Sequence, residues 1–361
     1  MTLKGEYKLF IEDIRTSRRK IPLHTPFKTA LRTATYIESI TVTIYLENGL
    51  AGRGEAAPTW VITGDSSESI QAALEGPIKQ AILQQDIRHF QSLLVAIQNS
   101  CIGNTSAKAA ADIALHDVYS RWMGVPLYQL LGDYQSLKTS MTIGVDDPKK
   151  MAKDADKWVE KGYTSLKIKV GAKPELDMDR ILAIREVIPS EILLRLDANQ
   201  GWTPKQAVQL IQEMERINAG IEFIEQPVKA NDLEGLKFVT DNVKTPIMAD
   251  ESIFSPQDAF KIIQGHYADL INIKLMKSGG IYNALIIADL AMVNQVPCMI
   301  GSMMESSYSV GAAAHFAAAH PNVIYYDLDA PLWLTEKPEV IEYQGEKVSL
   351  STGEGISGVD K

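Results

Sequence analysis

Alternating hydrophobic residues near the N-terminus predict a set of β-strands. Residues 8–14 fit a first strand. Residues 39–46 fit a second, because branched aliphatic side chains fall at every other position and line one face. Asn48-Gly49 is typical of a tight hairpin turn, so residues 50–55 are predicted to run back as the next strand. The pattern therefore indicates a small sheet that contains a hairpin.

Beyond these strands the hydrophobic residues recur at every third or fourth position. Residues 67–94 have this helical spacing, and a second helix is predicted from an N-cap at Thr105 or Ser106 towards Trp122. Strands followed by helices are typical of the α+β class. We therefore predict a small α+β domain over residues 1–132.

After about residue 138 the pattern becomes regular, with short apolar runs separated by amphipathic segments such as 177–187 and 203–214. The ends of successive runs are roughly 25 to 30 residues apart, which is the size of a repeated βα unit. The apolar runs are 140–145, 165–170, 192–196, 221–224, 246–249, 270–275, 296–300 and 323–326. About eight such units fit a (β/α) barrel better than an open sheet. We predict a barrel over residues 133–332 and a separate C-terminal segment over 333–361.

The composition of the chain limits the classes of binding partner that can be expected. The net charge of −9 and the pI of about 5.3 argue against nucleic acid and against an anionic membrane surface, but not against an anionic small substrate. Cys101 and Cys298 have no metal-site spacing and cannot form a disulfide framework. There is no signal-peptide pattern and no long apolar run, so a soluble, cytoplasmic protein is predicted. Whether it forms a homo-oligomer stays open, because barrel enzymes often self-associate and no symmetric surface can be identified.

Three acids stand at the ends of three consecutive predicted strands: Asp197, Glu225 and Asp250. In a barrel these ends share one mouth, so the carboxylates should converge and repel one another unless a cation neutralises them. Hard oxygen ligands suit Mg²⁺. The alternative is that each acid caps a helix or lies in its own loop. Three acids in register favour the metal site.

Three lysines flank the acids. Lys167 and Lys169 point the same way from the second predicted strand, and Lys274 ends the sixth. One alternative is a set of ion pairs without chemistry, and another is a Schiff-base lysine. Two opposed amines beside a substrate carboxylate would remove a proton from one face of a carbon and return one to the other, which is epimerisation. Such a base needs a lowered pKa, which a metal ion and the neighbouring lysine would both promote.

These motifs resemble the enolase superfamily, in its muconate-lactonising subgroup, and within it the dipeptide epimerases. The resemblance extends over nearly the whole chain. It implies an α/β fold with a (β/α)7β barrel, an N-terminal α+β capping domain and a C-terminal segment that returns to the cap. It also implies one Mg²⁺ per chain on the three acids, with Lys169 and Lys274 as acid/base groups and Lys167 stabilising an enolate. The motifs are Lys167-Ile168-Lys169, Asp197-Ala198-Asn199, Glu225, Ala249-Asp250-Glu251 and Asn272-Ile273-Lys274.

Further residues point to dipeptides within this family. Asp327 and Asp329 resemble a D-x-D signature whose acids bind the α-ammonium group of the substrate, although two acids in a solvated loop would look the same. Ser302 and Met304 correspond to a loop that contacts the substrate carboxylate, and Thr142 is also implied as a substrate contact. Beside them, Glu305 fits either a supporting role or an ordinary surface position.

Two segments of the cap, 27–33 and 58–65, should supply side-chain specificity. In the members of the family that act on L-Ala-D/L-Glu, an arginine at the position of Arg32 meets the glutamate side chain, for which a planar guanidinium is suited. The alternative is a surface arginine with an ion-pair partner. Because other dipeptide epimerases prefer hydrophobic or cationic dipeptides, L-Ala-D/L-Glu, derived from peptidoglycan peptides, is the expected substrate only through this residue.

Other functions stay open at the level of sequence. An o-succinylbenzoate synthase or a cycloisomerase would use the same metal and lysines, but would have no use for two acids as an ammonium site. A metal-binding barrel without turnover would be a small-molecule binding protein. A Schiff-base aldolase would form a covalent adduct with a lysine and need no metal. Proton exchange at an α-carbon separates the epimerase from the last two.

Overall fold

The N-terminal part of the chain begins with an antiparallel sheet. The computed structural model describes residues 9–358, so the start of the predicted strand at 8–14 and both ends of the chain lie outside the described residues. The strands are β1 (Ile11–Lys28), β2 (Thr33–Leu46) and β3 (Ala51–Ala56), in the order β1-β2-β3. The predicted hairpin joins β2 to β3, and Gly49 at its turn has a φ of +88°, which a glycine adopts without strain.

Five α-helices follow this sheet in the described part of the chain, and together with β1–β3 they form what we call the cap. The helical spacing predicted over 67–94 is not one helix, because a π-helical turn at Leu74–Ile78 contains Pro77 and a left-handed Gln84 follows. The predicted N-cap at Thr105 or Ser106 is wrong: Asn104 precedes the helix, and the Ser106 amide donates to Asp65 in the sheet-to-helix loop. The helices are α1 (Ser67–Ala73), α2 (Lys79–Ile82), α3 (Phe90–Asn99), α4 (Thr105–Met123) and α5 (Leu127–Leu131).

A short strand, β4 (Leu137–Lys138), leads into an eight-stranded parallel sheet that runs in the order β5 to β12. Each predicted apolar run overlaps one of these strands, and two of the strands extend one residue further, to Asp197 and to Glu225. The two edge strands meet, because the Ser140 amide donates to the Tyr326 carbonyl at 3.3 Å. The strands are β5 (Met141–Ile143), β6 (Ser165–Lys169), β7 (Leu193–Asp197), β8 (Ile221–Glu225), β9 (Ile247–Ala249), β10 (Leu270–Ile273), β11 (Cys298–Ile300) and β12 (Val323–Tyr326).

Each of the seven connections between these strands carries at least one helix, which confirms the predicted (β/α)7β barrel with an α+β cap. The predicted amphipathic segments 177–187 and 203–214 agree closely with two of these helices, which are Asp177–Val187 and Pro204–Arg216, the second beginning after an N-cap at Thr203. The helices are α6 (Pro148–Glu160), α7 (Asp177–Val187), α8 (Pro204–Arg216), α9 (Leu233–Asn242), α10 (Pro256–Gly265), α11 (Leu275–Ser278), α12 (Ile281–Val293) and α13 (Ser307–Ala319).

The C-terminal segment crosses back over the molecule. A hairpin of β13 (Ile341–Gln344) and β14 (Lys347–Leu350) adds to β4. The Thr335 amide donates to the Pro22 carbonyl in β1 at 3.0 Å, and the Ile356 amide donates to Asp117 in α4 at 2.8 Å. The last described residues thus contact both the sheet and the central helix of the cap. Across residues 9–358, no helix has the length and apolarity to cross a bilayer.

Candidate active site

The predicted acids and lysines lie together at the carboxyl ends of the barrel strands. Lys169, Asp197 and Glu225 are aligned side by side on β6, β7 and β8, so their side chains share one face of the sheet. Asp197, Glu225 and Asp250 are each 0% exposed, which is unusual for carboxylates without partners. Their burial means that cations must balance them.

Lys167 is the centre of this cluster. Its ammonium Nζ lies 3.0 Å from Asp197 Oδ2 and 2.7 Å from Glu225 Oε2. It also donates to Asp327 Oδ2 at 2.7 Å. One buried ammonium group therefore joins two of the predicted metal ligands to the predicted ammonium-binding acid.

The other two lysines each pair with a different acid. Lys169 Nζ donates to Asp197 Oδ2 at 2.6 Å, and Lys274 Nζ donates to Asp250 Oδ2 at 2.7 Å. Lys274 Nζ also lies 4.0 Å from Glu225 Oε1. The alternative that the acids cap separate helices is wrong, because those roles belong to Thr203, Asp232 and Ser255.

The cluster perturbs the pKa values of its members in opposite directions. Burial, reinforced by Asp197 and Asp250, raises the pKa of Glu225 to about 8. Burial also opposes ionisation of Asp197, but Lys169 and Lys167 outweigh it and hold the pKa of this acid low.

The pKa of Lys274 is raised, whereas the sequence analysis predicted a lowered pKa for a base beside a metal ion and Lys167. Burial lowers the pKa of Lys167 and Lys274, yet the facing carboxylates, Asp327 for the first and Asp250 for the second, outweigh it and raise both pKa values. The prediction of a lowered pKa assumed that a metal ion neutralises the acids. The carboxylates of the protein alone have the opposite effect.

The donor set fits a hard divalent cation. Among residues 9–358, no three Asp, Glu, His or Cys side chains are already grouped as a metal site, since ammonium groups stand between the carboxylates. Nevertheless, buried acceptor oxygens without a hydrogen bond are concentrated here, and those of Glu225 and Asp250 have only ion-pair contacts with lysines. Oxygen-only, carboxylate-rich donors are the ligands that Mg²⁺ prefers. The buried oxygens of this cluster without a hydrogen bond are Asn199 Oδ1, Glu225 Oε2, Asp250 Oδ1, Glu251 Oε2, Asn272 Oδ1 and Asp327 Oδ1.

A cleft of about 570 Å³, part of it open to solvent, lies between these residues and the cap. Lys169 and Lys274 both line it, together with every residue predicted to contact substrate. Thus the cap and the barrel jointly enclose the space beside the lysines. The lining residues are Phe27, Thr29, Leu31, Arg32, Val61, Ile62, Thr142, Lys169, Asn199, Lys274, Ser302, Met303, Met304, Asp327, Asp329 and Ala330.

Asp327 and Asp329 are buried at the cleft rather than solvated in a loop. Asp329 Oδ2 accepts the Thr142 amide at 2.7 Å and the Trp333 Nε1–H at 3.3 Å, which fixes its carboxylate. Burial, and next the charge of Asp327, raise the pKa of Asp329 to about 6. A cation placed beside Asp329 would favour the ionised form of this acid.

Arg32 lies on the cap side of the same cleft. Burial lowers the pKa of its guanidinium, and no ion pair with a described residue compensates for it. The alternative of a surface ion pair is therefore wrong for the part of the chain that the structure describes. An unpaired guanidinium that lines a cleft is suited to a ligand carboxylate.

The strand-to-helix loop after β11 forms another wall. Ser302 and Met304 line the cleft, and Glu305 folds back so that its Oε1 accepts the Met303 amide at 2.7 Å. Glu305 also accepts a hydrogen bond from the Ser309 hydroxyl. Burial raises the pKa of Glu305 and outweighs the hydrogen bonds from Ser309 and Met303, which lower it. Its surface alternative is wrong, and its contacts hold the loop in shape.

Some supporting residues escaped the sequence reasoning. Asn272 Nδ2 donates to Glu225 Oε1 at 2.8 Å, and Lys277 Nζ lies 2.6 Å from Asp250 Oδ1. Asn272 lies two positions before Lys274, so strand alternation places both side chains on the same face and could have identified Asn272. The position of Lys277 depends on a turn after the strand, which alternation alone does not reveal.

Comparison with known proteins shows what the chain is similar to. The mandelate racemase / muconate lactonizing enzyme N-terminal domain matches residues 11–132, and the enolase C-terminal domain-like family matches residues 150–359. An L-Ala-D/L-Glu epimerase of Clostridium acetobutylicum is 46% identical over 358 residues, which cover 98% of this chain and 100% of that protein.

Solved structures agree with this result. A substrate-liganded L-Ala-D/L-Glu epimerase from Bacillus subtilis superimposes with a TM-score of 0.95 at 47% identity, over 97% of this chain and 98% of that one. A dipeptide epimerase from Enterococcus faecalis V583, complexed with Mg and the dipeptide L-Leu-L-Tyr, gives a TM-score of 0.91 at 40% identity, over 97% and 99%.

Proposed function

The chain belongs to the enolase superfamily, in the mandelate racemase and muconate lactonizing enzyme group, and on this premise we propose that it is a Mg²⁺-dependent dipeptide epimerase. The reaction inverts the α-carbon of the C-terminal residue of a dipeptide. Residues 1–132 would select the side chains, residues 133–332 would perform the chemistry, and residues 333–361 would complete the cap.

One observation supports this reaction above all others: Lys169 and Lys274 lie on opposite sides of the barrel. Lys169 is on β6 and Lys274 directly follows β10, four strands further in the eight-stranded order. Both line the same cleft. Two amines on opposite sides of a bound α-carbon are the requirement for proton transfer between its two faces.

Asp197, Glu225 and Asp250 would hold the Mg²⁺ ion. A bound ion would neutralise the charge of these acids and polarise the substrate carboxylate. The chain then needs one of Lys169 and Lys274 as a neutral amine and the other as an ammonium group. The amine removes the α-proton, the electron pair of the C–H bond moves into the carboxylate as an enolate, and the ammonium returns a proton to the opposite face.

Lys167 would stabilise the negative charge that develops on the substrate. It is buried at the junction of Asp197, Glu225 and Asp327 and cannot move away from them without leaving carboxylates unpaired. A fixed cation at this point stabilises the enolate without reorganisation.

Different residues of the cleft would bind the two charged ends of a dipeptide. Asp327 and Asp329 offer two carboxylates to an α-ammonium group, and Thr142 holds Asp329 in place through its amide. Ser302 and Met304, in the loop after the neighbouring strand β11, would contact the substrate carboxylate. A dipeptide carries a cation at one end and an anion at the other, which matches this polarity.

L-Ala-D/L-Glu, a dipeptide of the kind found in peptidoglycan peptides, is the substrate that Arg32 favours. An unpaired guanidinium on the cap side would bind the side-chain carboxylate of glutamate, whereas it would disfavour a hydrophobic dipeptide such as that bound by the Enterococcus faecalis relative. Similarity to L-Ala-D/L-Glu epimerases supports the same choice.

A dipeptide library in deuterated water with Mg²⁺ tests the reaction and its specificity together. We expect exchange of the α-proton of the C-terminal residue, followed by inversion, and the highest kcat/KM for Ala-Glu dipeptides. Absence of exchange with every dipeptide would sink the proposal. Borohydride trapping of a lysine adduct without any metal requirement would favour an aldolase instead.

A further inference from the structure

The segment that carries Lys274 has little support of its own. Lys274 is followed by α11, a single helical turn over Leu275–Ser278 that begins at the Lys274 carbonyl, which accepts the amides of Lys277 and Ser278. One helical turn is not stable in isolation, because nucleation fixes several dihedral angles for few hydrogen bonds. The orientation of Lys274 therefore depends on contacts from outside the turn, which are the ion pair of Lys277 with Asp250 on the barrel side and the contacts at its two ends.

Strand β10 holds the first end, and the cap holds the second. Asp112, in the cap helix α4, accepts the Ile281 amide at 2.7 Å and the Tyr282 amide at 3.3 Å. These are the first amides of α12, and the residue at its N-cap position, Gly280, has no side chain that could accept them. Asp112 thus supplies from another domain the capping group that α12 lacks.

The contact between Asp112 and this segment is close and specific. Asp112 is 0% exposed, and a Cβ atom at Gly280 would lie 2.4 Å from its Cγ. Gly280 also has a φ of +117°, so no other residue fits well here. Gln98, in cap helix α3, adds a second bond through its Nε2, which donates to the Gly279 carbonyl at 2.8 Å. His116 Nδ1, one turn along α4, lies 3.1 Å from Asp112 Oδ1.

The lysine on the opposite side of the cleft is held differently. After Lys169, the Gly171 amide donates to Asp177 Oδ2 at 2.9 Å, and the Trp202 indole donates to the same oxygen at 2.8 Å. Asp177 belongs to the barrel helix α7, so these contacts lie within the barrel. The cap therefore holds the segment after Lys274 through Asp112, whereas the barrel itself holds the segment after Lys169.

We propose that Asp112 is a positioning residue for Lys274, through which the cap controls one of the two proton-transfer steps as well as the choice of substrate. The expected kinetic effect rests on the proposed function, but the hydrogen bonds that Asp112 accepts from the segment after Lys274 do not depend on it. Loss of the two accepted hydrogen bonds should let α11 shift and move Lys274 relative to the substrate, while Lys169 stays in place. The two faces of the α-carbon would then be affected unequally.

The test compares α-proton exchange of the two stereoisomers of Ala-Glu in deuterated water, with saturating Mg²⁺ and the full chain. Lys274→Ala first identifies the isomer whose exchange depends on Lys274. In Asp112→Ala we expect about tenfold slower exchange of that isomer and less than about threefold change for the other, because small misplacements of a reacting group are costly. Asp112→Asn retains an acceptor and should restore most of the rate.

Asp147→Ala is the matched control, since Asp147 is an exposed N-cap of barrel helix α6 and touches neither lysine. It should leave both exchange rates unchanged. If Asp112→Ala does not fold, Gln98→Ala removes the hydrogen bonds that a half-buried side chain makes with the Gly279 carbonyl and with Asn283 Nδ2, and should show the same inequality to a smaller extent. Equal slowing of both isomers, or no slowing of either, would overturn the inference.

Amide hydrogen exchange followed by mass spectrometry separates this inference from the proposed function. Faster amide hydrogen exchange over residues 275–282 in Asp112→Ala, but not in Asp147→Ala, supports the conclusion that Asp112 holds this segment, whatever the substrate is. Unchanged amide exchange over residues 275–282 contradicts the conclusion that Asp112 holds this segment. If the wild-type chain exchanges no dipeptide proton at all, the proposed function fails and the amide result alone decides whether Asp112 holds α11.

Discussion

Lys277 and Asp250 form a buried ion pair in which Lys277 Nζ lies 2.6 Å from Asp250 Oδ1 and also donates to the Asp250 backbone carbonyl. A third contact, to the Asn272 carbonyl at 3.2 Å, ties the same ammonium group to the strand before Lys274. Asp250 therefore has two cationic partners, Lys274 on the cleft side and Lys277 behind it.

This pair gives the first prediction. Lys277→Met leaves Asp250 with a single cation, and removing one member of a buried pair costs about 3 kcal/mol of unfolding free energy. We expect a lower Tm in the absence of metal and a larger Mg²⁺-dependent rise in Tm than the wild-type chain shows, because the cation then replaces the missing charge. Differential scanning calorimetry with and without Mg²⁺ measures both. Lys237→Met, on the exposed face of α9, should change neither. An unchanged Tm in Lys277→Met would contradict the importance of the pair.

The second prediction concerns the two opposed amines. Lys169→Ala and Lys274→Ala should each reduce epimerisation by at least about 10³-fold, since each removes one of the two groups that transfer the proton. Exchange of the α-proton with deuterated water should survive for one stereoisomer in each variant, and for opposite stereoisomers in the two. NMR in deuterated water gives both readouts. Lys173→Ala, an exposed lysine after β6, serves as the control. Full epimerase activity in either active-site variant would rule out the two-base mechanism.

Arg32 provides a test of specificity. Arg32→Met should lower kcat/KM for L-Ala-D/L-Glu by about 10- to 100-fold, because a charge-assisted hydrogen bond contributes about 1.5 to 3 kcal/mol. The kcat/KM for a dipeptide with a hydrophobic C-terminal residue should fall much less or rise. Arg216→Met, an exposed arginine of α8 that pairs with Glu213, is the matched control. A uniform loss across all dipeptides would mean that Arg32 supports the fold of the cap rather than the choice of substrate.

The fourth prediction follows from the raised pKa of Asp329, which burial and Asp327 move from the usual 3.8 to about 6. A raised pKa means that the folded chain binds this proton more tightly than the unfolded chain does. The resulting contribution to stability is complete below pH 3.8 and disappears as the pH rises through about 6. An ammonium ligand needs the ionised form, so the KM for dipeptides should fall as the pH rises through the same interval.

Asp329→Asn should abolish this pH dependence and raise the KM at neutral pH, while Mg²⁺ affinity measured by calorimetry stays the same. N-acetylated dipeptides, which lack the ammonium group, should show no such dependence with the wild-type chain. If Asp329→Asn binds acetylated and free dipeptides with the same preference as the wild-type chain, the acid does not bind the ammonium group.

Much of the barrel was predictable because its units are local. A βα repeat places a strand, its polar terminal residue and the following helix within about 30 residues, so the apolar runs and the acids after them predict both the strands and the mouth of the barrel. Alternation alone placed Lys167 and Lys169 on one face, as observed.

Other features depend on contacts between distant segments and could not be predicted in this way. Pro77 and Gln84 interrupt a hydrophobic spacing that is otherwise helical, since backbone restraint outweighs the pattern. Lys277 and Asp112 act on segments that approach them only in three dimensions. The raised pKa values of Lys167 and Lys274 likewise come from carboxylates on neighbouring strands, whose distances no sequence spacing provides.

The contacts of Thr335 with β1 and of Ile356 with α4 have a consequence for biosynthesis. The surfaces of the cap that receive these residues stay uncovered while the barrel is being translated. The residues that cover them are translated after the barrel, so the cap reaches its final arrangement only once this later segment has been made. Premature termination after the barrel would therefore yield a product with every proton-transfer group present but with these cap surfaces bare, a ready substrate for chaperones and proteases.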